Sequence, residues 1–243
     1  MKKASSNNIS VCLATYNGMK FLNQQLDSIF NQSTLPSEII IADDCSNDGT
    51  LEYLKSLNDS RIIILESKKN IGVINNFERA IKAAHGDVIF LCDQDDVWMP
   101  NKISTVLSAM HDDTSLVIHN AYITNVDLVK GSKTYFDVIH PKVNWYNNLV
   151  RNTLIGAMMA FPRKLIKYAL PFPKGIGMHD IWIGLIASNI GKIEIIDEPL
   201  MFYRRHINCA SLTFAKSNRF FAKRIGERLI TGYNFLKRNL VYH

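Results

Sequence analysis

Asp93, Asp95 and Asp96 crowd the end of an apolar run in the segment FLCDQDDVW. Carboxylates this close repel one another, most strongly where water is scarce. A hard divalent cation relieves the repulsion, because Mg2+ or Mn2+ takes oxygen ligands and often joins one or two carboxylates to a phosphate. A solvated acidic turn that caps the following helix is the plainer alternative for an isolated D-x-D. A second apolar run also ends in acids, in IADDCSNDGT. There Asp44 is placed to accept a hydrogen bond from a base or a sugar hydroxyl. Ser46 or Asn47 suits a helix cap, and Asp48-Gly49 a turn.

Three further groups could join this chemistry. Asp180, in MHDIW, opens an apolar helical segment and reads as either a helix-dipole partner or a general base. His179 beside it reads as a packing group or as a support behind the groups that touch the substrate. Thr15, Tyr16 and Asn17, in TYNG, offer a turn with an aromatic face and exposed amides. In YRRH, Tyr203 to His206, the arginines alternate in facing, so one of Arg204 and Arg205 is expected inward; His206 could ligate a metal or bind phosphate.

Regular elements must hold these groups. ISVCLAT, EIIIADD, RIIILES and DVIFLCDQDD read as buried strands. FLNQQLDSIFNQ, LEYLKSL, NNFERAIKAAHG (ended by Gly86) and PNKISTVLSAM read as the helices between and after them. Strands apolar on both faces, alternating with helices, imply a parallel sheet covered on both sides. Ligands of such sheets bind beyond the carboxyl ends of the strands, where TYN, DDCSND and DQDD fall. The second half is less regular: SLVIHNAYITN alternates as an open strand, residues 130–150 read as loop, IGAMMAFP and KIEIIDEPLMFYRRH as strands, and GMHDIWIGLIASNIG as a buried helix. From Ala215 a basic amphipathic helix is expected.

The 243 residues suit one α/β domain, and the net charge of +6 favours an anionic partner. Cys12, Cys45, Cys92 and Cys209 form no CxxC pair, and Cys12 and Cys92 sit in apolar runs, which favours reduced thiols. MKKASSNN is followed by no apolar stretch of signal-peptide length, so a cytoplasmic setting is expected. The tail mixes Arg219, Lys223, Arg224, Arg228, Lys237 and Arg238 with apolar residues, which suits a peripheral seat on an anionic membrane.

Taken in order, ISVCLATYNG, EIIIADDCSNDGT and NIGVINNFERAIKAAHGDVIFLCDQDDVWMPNKI resemble the glycosyltransferase family 2 enzymes, and YRRH followed by Asn208 resembles the ending of bacterial rhamnosyltransferase-like members. The resemblance implies a GT-A fold: residues 1–108 as the nucleotide-sugar-binding half, 109–214 as the acceptor-binding half of the same domain, and 215–243 as the basic tail. It implies that Thr15, Tyr16, Asn17, Asp44, Asn76, Asp93 and Arg204 bind the nucleotide sugar. Asp95 and His206 are implied to hold Mg2+ or Mn2+, Asp96 to support their loop, and Asp180 to be the catalytic base, with His179 where the family more often has Glu. The implied reaction is an inverting transfer from dTDP-rhamnose or a UDP-sugar to a glycan acceptor on a lipid carrier.

Two rivals share some of these residues. DQDDV also fits the D-x-D-x-[T/V] pattern of haloacid-dehalogenase-like phosphatases, with Asp93 as nucleophile, although those enzymes usually carry it near the N-terminus. The basic tail could serve a nucleic-acid-binding module, but the strand-end acids would repel a phosphate backbone, and no nucleic acid is expected. No G-x-G-x-x-G follows the first strand, which argues against a dinucleotide enzyme.

Overall fold

Ile9–Thr15 (β1) is buried at every position, and Glu38–Asp43 (β2) at all but its first. Such residues form a strand with both faces covered, and β1 pairs in parallel with β2 on one side and with Val88–Asp93 (β4) on the other. Ile62–Glu66 (β3) extends the parallel part beyond β2. The registers decide the function: Thr15 lies opposite Asp43, and Ala14 opposite Asp93, so the polar ends of three strands finish at one level.

The computed structural model describes residues 8–150, 152–206 and 219–242; of residues 219–224 and 241–242 only the helical backbone is described. The N-terminal MKKASSN, Asn208, Cys209 and residues 215–218 therefore lie outside the described residues, as do the side chains of Arg219, Lys223 and Arg224.

Helices flank the sheet. Met19–Phe30 (α1) buries Phe21, Leu22, Leu26 and Ile29 on one face. Thr50–Ser56 (α2) follows β2, and Val73–Ala83 (α3) buries Phe77, Ala80 and Ile81 against β1 and β2. After β4 the chain makes a two-residue strand, Val97–Trp98 (β5), before Lys102–Ser108 (α4).

The second half adds Thr114–Thr124 (β6), Lys130–Thr134 (β7), Tyr135–Ile139 (α5), Trp145–Val150 (α6), Met159–Pro162 (β8), Ile166–Ala169 (α7), His179–Ile190 (α8), Lys192–Arg204 (β9) and Arg219–Tyr242 (α9). The sheet runs β3-β2-β1-β4-β8-β6-β9-β5, with β7 paired to β6. Antiparallel β8 joins the parallel part to the rest.

Three expectations change. Residues 130–150 are not loop: a capping box closes between Thr134 and Asp137 at the start of α5, and α6 follows. The segment IGAMMAFP begins as a turn of 3-10 helix, Gly156–Met158, and becomes strand only at Met159. Gly86 does not end α3. The helix stops at Ala83, Ala84 is already extended, and Gly86 serves close packing instead, because a Cβ there would lie 2.6 Å from the Ser10 backbone nitrogen. Gly86→Ala is thus expected to cost about 1–3 kcal/mol and to lower the melting temperature by about 2–4 °C per kcal/mol. A wild-type melting curve would overturn that reading.

Among the described residues no helix is long and apolar enough to cross a membrane. Cys12 and Cys92 are buried free thiols, and burial pushes both pKa values up.

Candidate active site

β4 ends at Asp93, and the next three residues turn across the end of β1. Gln94 makes that turn rigid: its Oε1 accepts from Thr15 Oγ1 (2.7 Å) and from the Tyr16 backbone N–H (2.9 Å). Its Nε2 donates back to the Tyr16 carbonyl (3.2 Å). The middle residue of DQD thus ties two strand ends together and leaves the flanking acids to face the cleft.

β5 explains how residues some 110 positions apart meet. Val97 pairs with Phe202 of β9, which brings Arg204 and His206 against the acidic loop. The Arg204 backbone N–H donates to Asp96 Oδ1 (3.0 Å), and its Nε–H donates to the Asp95 carbonyl (2.7 Å). His206 Nε2 lies 2.8 Å from Asp95 Oδ2, with its ring 4.8 Å from that of Phe21.

The electrostatics match a cluster short of positive charge. Burial, with Asp95 and Asp180 nearby, raises the Asp93 pKa to about 7. Burial, then Asp95 and Asp93, pushes Asp96 well above the usual carboxylate range, and its Oδ2 has no hydrogen-bond partner. Lys102, fully buried, is the countercharge beneath them. Its Nζ donates to the Ala157 carbonyl (2.8 Å) and lies 3.9 Å from the Trp98 ring centroid, and burial lowers its pKa to about 7.

Among the described residues no group of three or more His, Cys, Asp or Glu side chains is arranged to hold a metal unaided. The donor chemistry nevertheless fits Mg2+ or Mn2+. Asp95 and His206 offer an oxygen and a nitrogen side by side, and such ions take one or two protein ligands when phosphate and water fill the remainder.

A cavity of about 320 Å3 opens beside the cluster, within the range of small-molecule sites. Its lining includes Thr15, Tyr16, Asp44 and Asn76, Asp93, Asp95 and Arg204, and Gly156, His179 and Asp180. Asp180, in the first turn of α8, is 7% exposed. Its Oδ1 accepts from the Ile181 N–H (2.6 Å) and from Asn152 Nδ2 (3.2 Å). Burial outweighs these bonds and raises its pKa to about 7, which keeps a proton acceptor poised near neutrality. His179 is buried, stacks on Phe77 (4.1 Å), and has its pKa lowered to about 3 by burial, so the ring is neutral. That is the packing group expected.

The structure gathers most of the expected residues, although several also brace the site. Asp44 lines the cavity, but both its oxygens accept backbone N–H groups, from Ile71 (2.7 Å) and Gly72 (2.8 Å). Asn76 donates to the Ala42 carbonyl (2.6 Å) and so ties α3 to β2. Tyr16 is half-exposed and keeps its ring free for a stacking partner. Asn17 lies outside the cavity lining; its Oδ1 accepts from the Asn47 N–H (2.9 Å), and its N–H donates to Ser46 Oγ (2.9 Å). Of the two arginines, Arg204 points inward.

One local reading is corrected. Neither Ser46 nor Asn47 caps α2: Ser46 bonds Asp43, and Asp48 accepts from the Thr50 N–H (3.1 Å) while Gly49 takes a left-handed φ of 90°. Gln94, Lys102, Asn152 and Gly156 were not picked out from the sequence. Gln94 and Lys102 lie within or just beyond the acidic motif, which marks the neighbourhood. Asn152 and Gly156 carry no local signal, since their roles arise from contacts with α8.

Comparisons with known proteins agree with this geometry. The family model "Glycosyl transferase family 2" matches residues 10–169. The chain is 31% identical over 207 residues to UDP-Glc:alpha-D-GlcNAc-diphosphoundecaprenol beta-1,3-glucosyltransferase WfaP of Escherichia coli, covering 84% of this chain and 79% of that one. S. aureus TarS 1-349 in complex with UDP-GlcNAc superposes with a TM-score of 0.68 at 19% identity, over 97% of this chain and 73% of that one. In the UDP complex of TarS the match spans only 60% of the TarS chain. The mannosyltransferase PcManGT of Pyrobaculum calidifontis, solved with GDP-Man and Mn2+, gives a TM-score of 0.61 at 15% identity, over 98% of this chain and 74% of that one.

Proposed function

Because the chain belongs to glycosyl transferase family 2, we propose that it moves a sugar from a UDP-linked donor to a hydroxyl of a lipid-linked glycan, inverting the anomeric carbon. The observation that carries this reading is that Asp180 and the acid cluster at the strand ends line one and the same cavity. Asp180, a carboxylate poised near neutrality in the first turn of α8, shares that cavity with the residues that would hold a diphosphate and a cation. The arrangement suits one direct displacement.

In that displacement the acceptor hydroxyl gives its proton to Asp180 while its oxygen bonds the anomeric carbon, and the bond from that carbon to the diphosphate oxygen breaks. Tyr16 stacks on the base, while Thr15, Asp44, Asn76, Asp93 and Arg204 shape the nucleotide side and Asn17 braces its loop. Asp95 and His206 would hold Mg2+ or Mn2+, which when bound supplies Lewis-acid stabilisation of the departing diphosphate. Residues 1–108 thereby act as the donor half and 109–214 as the acceptor half.

The relatives' names support a choice of donor. UDP-Glc, UDP-GlcNAc and GDP-Man occur in the names reported above, and dTDP-rhamnose does not. A uridine donor is therefore the better-supported choice over the rhamnosyl one. WfaP names a diphosphoundecaprenol-linked acceptor, which supports a lipid-linked glycan here and a peripheral seat at the cytoplasmic membrane face through residues 215–243.

A thermal-shift panel tests the donor. UDP with Mn2+ at about a hundredfold over its dissociation constant should stabilise the protein by about 2.7 kcal/mol, or about 5–10 °C, and UDP without metal by much less. A larger shift with dTDP would restore the rhamnosyl reading. No shift with any nucleoside diphosphate would remove nucleotide-sugar transfer altogether.

A further inference from the structure

The face of α9 turned away from the domain carries Leu229, Tyr233, Leu236 and Leu240, spaced four, three and four apart and each 60–85% exposed. This spacing makes one stripe along a helix. The opposite face is fastened down. Phe235 is buried, and Arg238 donates to the carbonyls of Tyr168 (2.8 Å) and Pro171 (2.8 Å) with its guanidinium over Trp182. The stripe is therefore not a core face awaiting the domain. On the flank of α9, α6 sets Trp145 against Phe235 (6.0 Å) and edge-on to Tyr146 (5.8 Å), both rings being substantially exposed.

We infer that α6 and α9 together form a single docking face for an anionic lipid surface. The inference deepens the proposed membrane seat, since it assigns the contact to a composite face that includes Trp145 and Tyr146. Charge selects the occupant. By sequence, residues 219–242 contain Arg219, Lys223, Arg224, Arg228 and Lys237 against Glu227 alone, besides Arg238, which is held on the domain side. An anionic headgroup layer complements that balance, whereas a second copy would bring two cationic helices together. Tryptophan and tyrosine suit the headgroup level, with an apolar body and a polar edge.

Position agrees with charge. Ile230 and Glu227 of α9 border Gly175 and Gly177, in the loop that leads to Asp180. Asn152, just beyond α6, donates to Asp180 itself. The docking face thus adjoins the acceptor side of the cleft, where a lipid-linked acceptor must enter.

The test uses the full chain and vesicles of phosphatidylglycerol and phosphatidylcholine in equal parts. Wild type should co-sediment at low salt, with binding weakened about fivefold for each cation contact screened or removed. Tryptophan emission should shift to the blue on binding, because Trp98 and Trp182 are already buried and Trp145 is not. The variant Leu229→Gln/Leu236→Gln/Leu240→Gln should bind about tenfold less or worse, yet turn over nucleotide sugar normally in vesicle-free buffer. Absence of wild-type binding at low salt, or full binding by the variant, overturns the proposal. So does a wild-type dimer in light scattering that the variant abolishes, which would give the face to a second copy. Wild type inactive without vesicles would count against the transfer reading alone, and the sedimentation arms would still decide the surface.

Discussion

Asp95→Ala is expected to lower sugar transfer by about 10³-fold at saturating Mn2+. The size follows from its place: Asp95 is the carboxylate of the cluster that meets the imidazole of His206, and no third His, Cys, Asp or Glu among the described residues could complete a metal site in its stead. The loss should not come from unfolding. Asp95 raises the pKa of both Asp93 and Asp96, so its charge opposes theirs in the folded state. Deleting it relieves that repulsion but also removes the His206 contact, so the variant should melt within a few degrees of wild type. Calorimetric titration with UDP separates the roles further, since the variant should bind UDP with an affinity indifferent to Mn2+. Near-normal transfer by the variant would end the metal assignment.

Lys102 gives the cluster its counterweight. Burial lowers the Lys102 pKa to about 7, and the charges of Asp96 and Asp93 act in the opposite direction.

What the sequence made legible was periodic or terminal. The strands of the first half announced themselves by apolar runs, and their acidic ends followed from where those runs stopped. Parallel pairing then forced Thr15, Asp43 and Asp93 to one level without any further information. What stayed hidden depends on partners far along the chain. β5 is two residues long and gains its identity only from Phe202 and Met201. β7, with the sequence KGSKT, is a polar, exposed strand without alternation, and α5 is a single turn set by a capping box. Gly86 looked like a helix stop because glycine often is one, yet the space it leaves is filled by Ser10, 76 residues away. Arg204 shows the same limit: alternation said that one arginine turns inward, but not that its Nε–H would hold the Asp95 carbonyl.

Asp180→Asn is expected to reduce the turnover rate by about 10²–10⁴-fold while leaving UDP affinity unchanged, because it removes proton acceptance at a residue assigned no contact with the nucleotide. The substitution keeps one oxygen, which can retain the bonds from Ile181 and Asn152, while the Gly156 backbone N–H that also bonds this carboxyl meets an amide in its place. Wild-type turnover should fall as pH drops below about 7, where the carboxyl takes up its proton, and the residual activity of the variant should lack that limb. Stability should move the other way. The folded pKa of about 7 lies above the unfolded value near 3.8. Folding is therefore favoured by the proton below the unfolded value, and that contribution is lost as pH rises through 7. A three-unit shift corresponds to about 4 kcal/mol at most, so Asp180→Asn should melt several degrees above wild type at pH 8, with the gap closing towards pH 4. A variant that is slow but no more stable at pH 8 would mean that Asp180 is solvated, and a solvated carboxylate is too weak a base for the role assigned to it.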